Sequence, residues 1–260
     1  MKIAIIFCLI FLASCSGNQQ VSDLELTWRK AVVTLPQSNS FNKIRRKYLE
    51  EINDIDTNYH RRVPLVIYLH GCTGIGNFFV FDKLASEGYA VIAIDSFARR
   101  FRPLQCDPKT KSGGKNLYVY DFRLAELTYA LEEISNLSWI DFDNLFLIGA
   151  SEGAVAAALF RGDVFNARII AQWTCSGAPL LEGIAAPQRV PILAIVKEKD
   201  PYYESANTLG QDGNCKNFFE DRIESKSIVI PYKKNYPNHD VFSTEGVLDI
   251  IIDFLELHSH

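Results

Sequence analysis

A serine between two glycines, in Gly149-Ala150-Ser151-Glu152-Gly153, is the residue of this chain best placed to act as a nucleophile. An apolar run of strand length, Leu145 to Ile148, precedes it, and an alanine-rich segment of strong helix formers follows it. A turn this tight raises the serine hydroxyl above the sheet edge and directs the first helical amides towards its target. The pattern predicts a nucleophile elbow at Ser151. The alternative is a tight turn whose serine only caps the helix.

An acid and a base follow this serine at the ends of two later strands. Asp200 follows the predicted strand Pro191 to Val196, and His239 follows the predicted strand Ser227 to Pro231. Loops at the carboxyl ends of parallel strands gather at one sheet edge, and the order serine, aspartate, histidine is the one expected of an α/β-hydrolase. The sequence therefore predicts a catalytic triad. The other histidines precede the predicted sheet, lie inside a glycine turn or lie in the last residues of the chain: His60, His70, His258 and His260.

These residue types predict acyl transfer. A serine hydroxyl is a weak nucleophile, so His239 would take its proton during attack on an ester carbonyl and later deliver it to the leaving alkoxide. Asp200 would hold the imidazole tautomer and stabilise the imidazolium. The backbone N–H of Glu152 would stabilise the developing oxyanion. Because a carboxylate would oppose that charge, the Glu152 side chain should point away or pair with a cation.

The elements that position these residues alternate between strand and helix. With 260 residues, 48% of them apolar, the chain is expected to form a single globular domain. We predict an α/β fold, specifically an α/β-hydrolase fold with a mostly parallel central sheet and helices on both faces. The predicted strands are 64–69, 90–95, 145–148, 168–174, 191–196 and 227–231, and the predicted helices are 78–88, 117–137, 152–161 and 244–257.

The organisation along the chain is predicted in four parts. Residues 1–14 are expected to be a signal peptide, 15–22 a lipidated cysteine and tether, 23–61 an amino-terminal extension, and 62–260 the α/β-hydrolase domain. Within the extension, residues 23–33 suggest an edge strand and residues 41–52 have the spacing of an amphipathic helix.

The start of the chain is typical of an exported lipoprotein. The apolar run Ile3 to Leu12 is too short to span a bilayer but suits a signal-peptide core. It ends in Leu12-Ala13-Ser14-Cys15, which resembles a bacterial lipobox and implies lipid attachment to Cys15. Ser16, rather than aspartate, favours by analogy an outer-membrane protein that faces the periplasm of the bacterial cell envelope. The alternative is an ordinary secretory signal with a chance cysteine.

Charge and cysteine content fit this setting. Without Lys2 the chain has 26 basic and 31 acidic residues, a formal charge of −5, so no nucleic-acid partner is expected. Two of the six cysteines, Cys8 and Cys15, lie in the signal and at the lipid site. Four cysteines in an oxidising compartment suggest two disulfides, with three possible connectivities. We favour Cys72 with Cys106 and Cys175 with Cys215, because each pair lies in loops expected at the same sheet edge; four buried thiols are the alternative.

Several motifs together resemble one known family. His70-Gly71-Cys72-Thr73-Gly74, Asp95-Ser96-Phe97, the elbow at Ser151 and Tyr236-Pro237-Asn238-His239-Asp240-Val241-Phe242 are similar to the dienelactone hydrolase family of α/β-hydrolases. The similarity is to its exported, serine-bearing bacterial branch and covers roughly residues 62 to 257. Dienelactone hydrolases proper carry a cysteine where this chain has Ser151. The amino-terminal segment also lacks a match to the usual leading hairpin of the family.

The resemblance implies further roles. It suggests that the backbone N–H of Cys72 is the second oxyanion donor, and a disulfide at Cys72 would stiffen that loop. It also implies hydrolysis of a small-molecule ester or thioester. No cofactor is expected, and no metal site, because the sequence contains no clustered His and carboxylate ligands. We interpret His70 as a structural hydrogen-bonding residue.

A basic loop from Ser96 to Lys115 carries Arg99, Arg100 and Arg102. These arginines could bind an anionic group of the substrate, and one of them could pair with Glu152. The simpler interpretation is a solvated surface.

A second function class stays open. A catalytically silent lipoprotein could keep this fold and use its cleft for binding in the cell envelope. The complete set of Ser151, Asp200 and His239 argues for the enzyme, because a silent relative has no physical reason to keep a strained serine. The sequence predicts neither the substrate nor the oligomeric state.

Overall fold

The computed structural model describes residues 20–178, 181–203, 214–219, 221–232 and 239–260. Its strands are β1 (Val32–Leu35), β2 (Arg45–Tyr48), β3 (Val63–Leu69), β4 (Ala90–Ile94), β5 (Ile140–Ala150), β6 (Ala167–Ala171), β7 (Ile192–Lys197) and β8 (Lys226–Ile230). Its helices are α1 (Asp23–Arg29), α2 (Phe78–Ser86), α3 (Tyr118–Glu133), α4 (Glu152–Leu159) and α5 (Val247–Leu257).

The strands form a single eight-stranded sheet in the order β2-β1-β4-β3-β5-β6-β7-β8. β1 is antiparallel to both of its neighbours, and the strands from β4 to β8 are parallel. This confirms the predicted mostly parallel sheet. β1 and β2 belong to the predicted amino-terminal extension, and they form the antiparallel leading pair that the sequence did not reveal.

Both faces of the sheet are covered, and β3 shows why its sequence is continuously apolar. Val66 and Tyr68 point into one core with α2 and α5, whereas Leu65, Ile67 and Leu69 point into the other with α1, α3 and α4. All five side chains are buried. A strand enclosed on both faces has no polar side, as expected in the middle of a parallel sheet.

Two predictions in the amino-terminal region are wrong. Residues 23–33, predicted as an edge strand, begin with helix α1, whose first turn is capped by the Ser22 hydroxyl accepting from the Glu25 N–H at 3.0 Å. Residues 41–52, predicted as a helix, contain the edge strand β2 instead. Hydrogen bonding to β1 outweighs the helix-like spacing of charged and apolar residues in this segment. The basic side chains of β2 disfavour pairing of this exposed sheet edge with another chain.

None of the helices within the described ranges is long and apolar enough to cross a membrane. The predicted signal peptide and Cys15 lie outside the described residues.

Candidate active site

Ser151 occupies a strained turn between β5 and α4. Its φ of 54° and ψ of −112° lie outside the regions that an ordinary residue prefers. The two flanking glycines are required by close backbone approach. A Cβ on Gly149 would lie 2.3 Å from the Gly153 carbonyl oxygen, and a Cβ on Gly153 would lie 2.0 Å from that of Leu69. Backbone strain of this kind costs about 1–3 kcal/mol and is held in place by the surrounding packing.

The structure brings the three predicted triad residues into one hydrogen-bonded chain. The Ser151 hydroxyl lies 2.9 Å from His239 Nε2, and His239 Nδ1 lies 2.7 Å from Asp200 Oδ2. A carboxylate can only accept, so Nδ1 carries the proton and Nε2 accepts from the serine hydroxyl. The Asp200 side chain is 2% exposed and that of His239 is 22% exposed. This arrangement suits a base that must meet a substrate.

Residues that the sequence analysis missed hold the acid and the base. The Tyr202 N–H donates to Asp200 Oδ1 at 3.0 Å, and the Gln172 amide donates to the His239 carbonyl at 2.8 Å. The Tyr203 hydroxyl in turn donates to the Gln172 carbonyl at 2.7 Å. The Tyr202 ring lies 4.3 Å from the imidazole, measured between ring centres. A positional signal could have revealed these residues. Gln172 comes directly after β6, and the two tyrosines come just after Asp200, so all three follow strand ends at the same edge of the sheet.

The two predicted oxyanion donors lie on either side of the serine. Glu152 is the first residue of α4, and Cys72 belongs to the turn of residues 70–76 after β3, which we call the glycine turn. That turn approaches the nucleophile closely, since a Cβ on Gly71 would lie 3.4 Å from the Ser151 Cβ. The Cys72 amide donates to no backbone group in the described part of the chain, and the Glu152 amide, at the first position of α4, has no intrahelical acceptor. Both amides are therefore free to bind a substrate oxygen.

Two disulfides join the loops around the site, with the predicted pairing. Cys72 is bonded to Cys106 with a Cα separation of 5.9 Å, and Cys175 is bonded to Cys215 with a Cα separation of 4.9 Å. The prediction is confirmed. The first disulfide attaches the glycine turn to the long loop after β4.

The arginines of that loop are all partnered within the protein. Arg99 pairs with Glu126, Arg100 with Asp23, and Arg102 with Glu152. The predicted pairing of Glu152 with one of these cations is confirmed for Arg102. None of the three arginines lines either cleft beside Ser151. The geometry therefore gives no support to the prediction that they bind an anionic substrate group.

A buried charged cluster lies beneath the glycine turn. It consists of Arg102, Arg123, Glu126 and Glu152, all at most 3% exposed in their side chains. Arg123 lies 3.5 Å from Glu126 and 3.8 Å from Glu152. Burial raises the pKa of the Glu152 carboxyl, whereas the two arginines oppose that shift. We name these four residues the buried ion cluster; no motif in the sequence marks its members Arg123 and Glu126.

His70 links this cluster to the site. Its Nδ1–H donates to the Gly71 carbonyl at 2.7 Å, and its Nε2 accepts from the Ser96 N–H and from Arg123, both at 3.1 Å. Burial, followed by the charge of Arg123, lowers the pKa of His70 well below its usual value. The imidazole is therefore neutral and structural, as predicted.

Two clefts open beside Ser151. One, of about 650 Å³ including its mouth, is walled by Tyr120, Val155, Trp173, Ala178 and Tyr203; we call it the aromatic cleft. The other, of about 660 Å³, is lined by His239, Asp240, Gln172, Asn77 and the glycine turn; we call it the polar cleft. Within the described residues, no group of three His, Cys, Asp or Glu side chains is arranged to hold a metal ion.

Comparison with known proteins identifies the fold. No protein-family model and no curated protein sequence matches the chain. Among solved structures, a protein provisionally named a dienelactone hydrolase from Klebsiella pneumoniae subsp. pneumoniae MGH 78578 aligns with a TM-score of 0.55 and 15% identity, covering 76% of this chain and 89% of that one. The acetyl xylan esterase from Paenibacillus sp. R4 aligns with a TM-score of 0.52 and 16% identity, covering 77% and 76%. Esterase B from Lactobacillus rhamnosis HN001 aligns with a TM-score of 0.50 and 16% identity, covering 76% of each chain. The chain has the α/β-hydrolase fold.

Proposed function

We propose that this protein is a serine hydrolase that cleaves a small ester or thioester through an acyl-enzyme, in the manner of the dienelactone hydrolase family. The observation that carries the proposal is the continuous chain from Ser151 through His239 to Asp200, at 2.9 and 2.7 Å. The strained φ of 54° at Ser151 adds support, because strain of this kind collects at functional sites. It favours the enzyme over a catalytically silent binding protein.

The geometry suggests the following steps. Ser151 Oγ attacks the carbonyl carbon while His239 Nε2 takes its proton, and Asp200 stabilises the resulting imidazolium. The oxyanion is held by the amides of Cys72 and Glu152, each worth about 3 kcal/mol in the barrier. His239 then gives its proton to the departing alkoxide or thiolate. Water, activated by the same imidazole, hydrolyses the acyl-enzyme.

The setting that we propose is the bacterial cell envelope, with the protein anchored at the outer membrane through lipid on Cys15 and facing the periplasm. The two disulfides support an oxidising compartment. Metabolic labelling with an alkyne fatty acid should mark the wild-type protein and not a Cys15→Ser variant. Labelling that survives this substitution would contradict the lipid site.

Pre-steady-state hydrolysis of 4-nitrophenyl acetate tests the enzymatic proposal. We expect a burst of nitrophenolate approaching one equivalent per chain, because nitrophenolate is a good leaving group and the acyl-enzyme forms faster than it is hydrolysed. Ser151→Ala should abolish the burst, whereas Ser86→Ala, at the end of α2, should keep it. A folded wild-type protein with no turnover of oxygen or thiol esters would contradict the proposal.

A further inference from the structure

The two clefts beside Ser151 share the nucleophile but not the base. Cys72, Ser151 and Tyr202 line both of them. Among the described residues, His239 lines the polar cleft and is absent from the walls of the aromatic cleft. Glu152, whose amide is one of the proposed oxyanion donors, lines the aromatic cleft. The reacting carbonyl would therefore sit at the boundary between the two spaces.

The position of the base assigns the two halves of an ester. When Ser151 Oγ forms its bond to the carbonyl carbon, the bond from that carbon to the leaving oxygen breaks, and the proton held on His239 Nε2 passes to the leaving oxygen. That oxygen must come within about 3 Å of Nε2. The leaving alcohol therefore occupies the polar cleft, and the acyl group extends into the aromatic cleft.

The walls of the aromatic cleft favour a flat, apolar acyl group. Four aromatic residues line it, Tyr120, Trp173, Tyr202 and Tyr203, together with the aliphatic residues Val155 and Ala178. Aromatic walls bind planar rings well through stacked or edge-to-face contact. The Cys72–Cys106 disulfide lines this cleft directly. Cys215 of the second disulfide contacts the Trp173 carbonyl, so a disulfide restrains the cleft wall at two places.

A buried donor among the residues that line this cleft calls for a hydrogen-bond acceptor on the ligand. Trp173 is 1% exposed, and its indole N–H has no hydrogen-bond partner in the described part of the protein. The Gln105 side chain lies beside the Tyr120 hydroxyl, and its carbonyl accepts from the Asn116 N–H at 2.7 Å. Buried N–H groups are nearly always paired, so an acceptor on the ligand would complete the Trp173 indole.

We propose that the acyl group of the substrate is an aromatic ring that carries an oxygen substituent, with this ring in the aromatic cleft and its oxygen at the Trp173 N–H. The proposal rests on the proposed hydrolase function. It names the acid half of the ester, while the polar cleft takes the alcohol.

Methyl esters of three acids test the assignment with a constant leaving group: methyl 4-hydroxybenzoate, methyl benzoate and methyl hexanoate. Each kcat/KM is divided by the rate of hydroxide-catalysed hydrolysis of the same ester, which removes intrinsic reactivity. We expect the hydroxylated ester to exceed the benzoate about tenfold, as one additional hydrogen bond can provide, and the hexanoate to be the poorest. Equal normalised values, or a preference for hexanoate, would overturn the proposal without any variant.

Trp173→Phe sharpens the test, because it removes the N–H and keeps a ring. We expect the ratio of hydroxybenzoate to benzoate to fall about tenfold, towards unity. Trp28→Phe, a buried tryptophan of α1 in a different core cluster, is the matched control and should keep the wild-type ratio. An unchanged ratio in folded Trp173→Phe would overturn the role of this indole.

The two proposals fail differently. If the folded protein turns over neither oxygen esters nor thiol esters, the hydrolase itself is wrong. If turnover of 4-nitrophenyl acetate is present and depends on Ser151, but the aromatic esters show no advantage, only the assignment of the acyl group is wrong.

Discussion

The two flanks of Ser151 are built differently. On the oxyanion flank, the glycine turn is fixed by a disulfide, by His70 and by the buried ion cluster beneath it. On the base flank, Asp200 and His239 lie in loops after β7 and β8, where the Tyr202 and Tyr203 N–H groups donate to Asp200 and the Gln172 amide donates to His239. The oxyanion flank is thus tied to the protein core, whereas the base flank is built from loops at the edge of the sheet. Substitutions on the base flank should remove activity at little cost in stability, whereas those on the oxyanion flank should lower stability.

The largest effect is expected on the base flank. His239→Ala should lower kcat by about 10⁴-fold or more, because the serine loses its base and the leaving group its acid. Since the His239 side chain is 22% exposed, the free energy of unfolding in urea should change by only about 1 kcal/mol. His60→Ala serves as the control. A variant with wild-type turnover would remove His239 from the mechanism.

The next effect is on stability. Arg123→Met should lower the free energy of unfolding by about 3–5 kcal/mol, because it leaves the buried carboxylates of Glu126 and Glu152 with one cation fewer. Arg189→Met removes an ion pair with Asp163 in which the arginine is 76% exposed, and should cost about 1 kcal/mol or less. Urea titrations of both variants provide the comparison. Equal losses would show that the buried ion cluster does not support this flank.

The two disulfides test the oxyanion flank more finely. They close loops of similar length, with separations of 34 and 40 residues. Removal of either disulfide should therefore lower the free energy of unfolding by a similar amount, about 2–4 kcal/mol. The double variant Cys72→Ala with Cys106→Ala should also lower kcat for 4-nitrophenyl acetate, by up to about a hundredfold, because a proposed oxyanion donor is then misplaced.

The matched control is Cys175→Ala with Cys215→Ala, which should change that kcat less. If both pairs affect kcat equally, the Cys72 turn has no special role in holding the oxyanion.

The smallest effect is a pH dependence of stability. The pKa of His70 is lowered in the folded state, so its contribution is complete above the usual value of 6.5 and is lost as the pH falls from 6.5 towards the folded pKa. The slope is up to about 1.4 kcal/mol per pH unit. His70→Gln, which keeps an acceptor for Ser96, should have a shallower dependence between pH 7 and pH 5. Identical slopes for wild type and variant would mean that His70 is not held neutral.

Several features of the site could be predicted from the sequence because they depend on local geometry or on strand ends. Gly149, Ser151 and Gly153 act through local backbone geometry, which leaves a short motif, and Asp200 and His239 follow strand ends that apolar runs define. The disulfide pairing followed from the same topology. By contrast, the pairing of β2 with β1 is a long-range event that its own residues do not encode.

The buried ion cluster and the aromatic cleft were also beyond the sequence. Arg123 and Glu126 look like an ordinary surface pair spaced three residues apart on a helix, and only the packing of α3 against α4 shows them to be buried. From the sequence, Trp173 would be interpreted as an ordinary core residue. Nothing in a sequence shows that an indole N–H is left without a hydrogen-bond partner. Ser22 and Glu25, however, carried a helix-capping signal that could have identified α1.

Activation of Ser151 by His239 can be measured by covalent labelling of the serine. The purified protein is treated with a fluorophosphonate, digested and mapped by mass spectrometry. We predict a single adduct per chain, on Ser151, that is absent from Ser151→Ala and forms far more slowly in His239→Ala. A folded wild-type protein that stays unlabelled, or is labelled on another serine, would contradict the account.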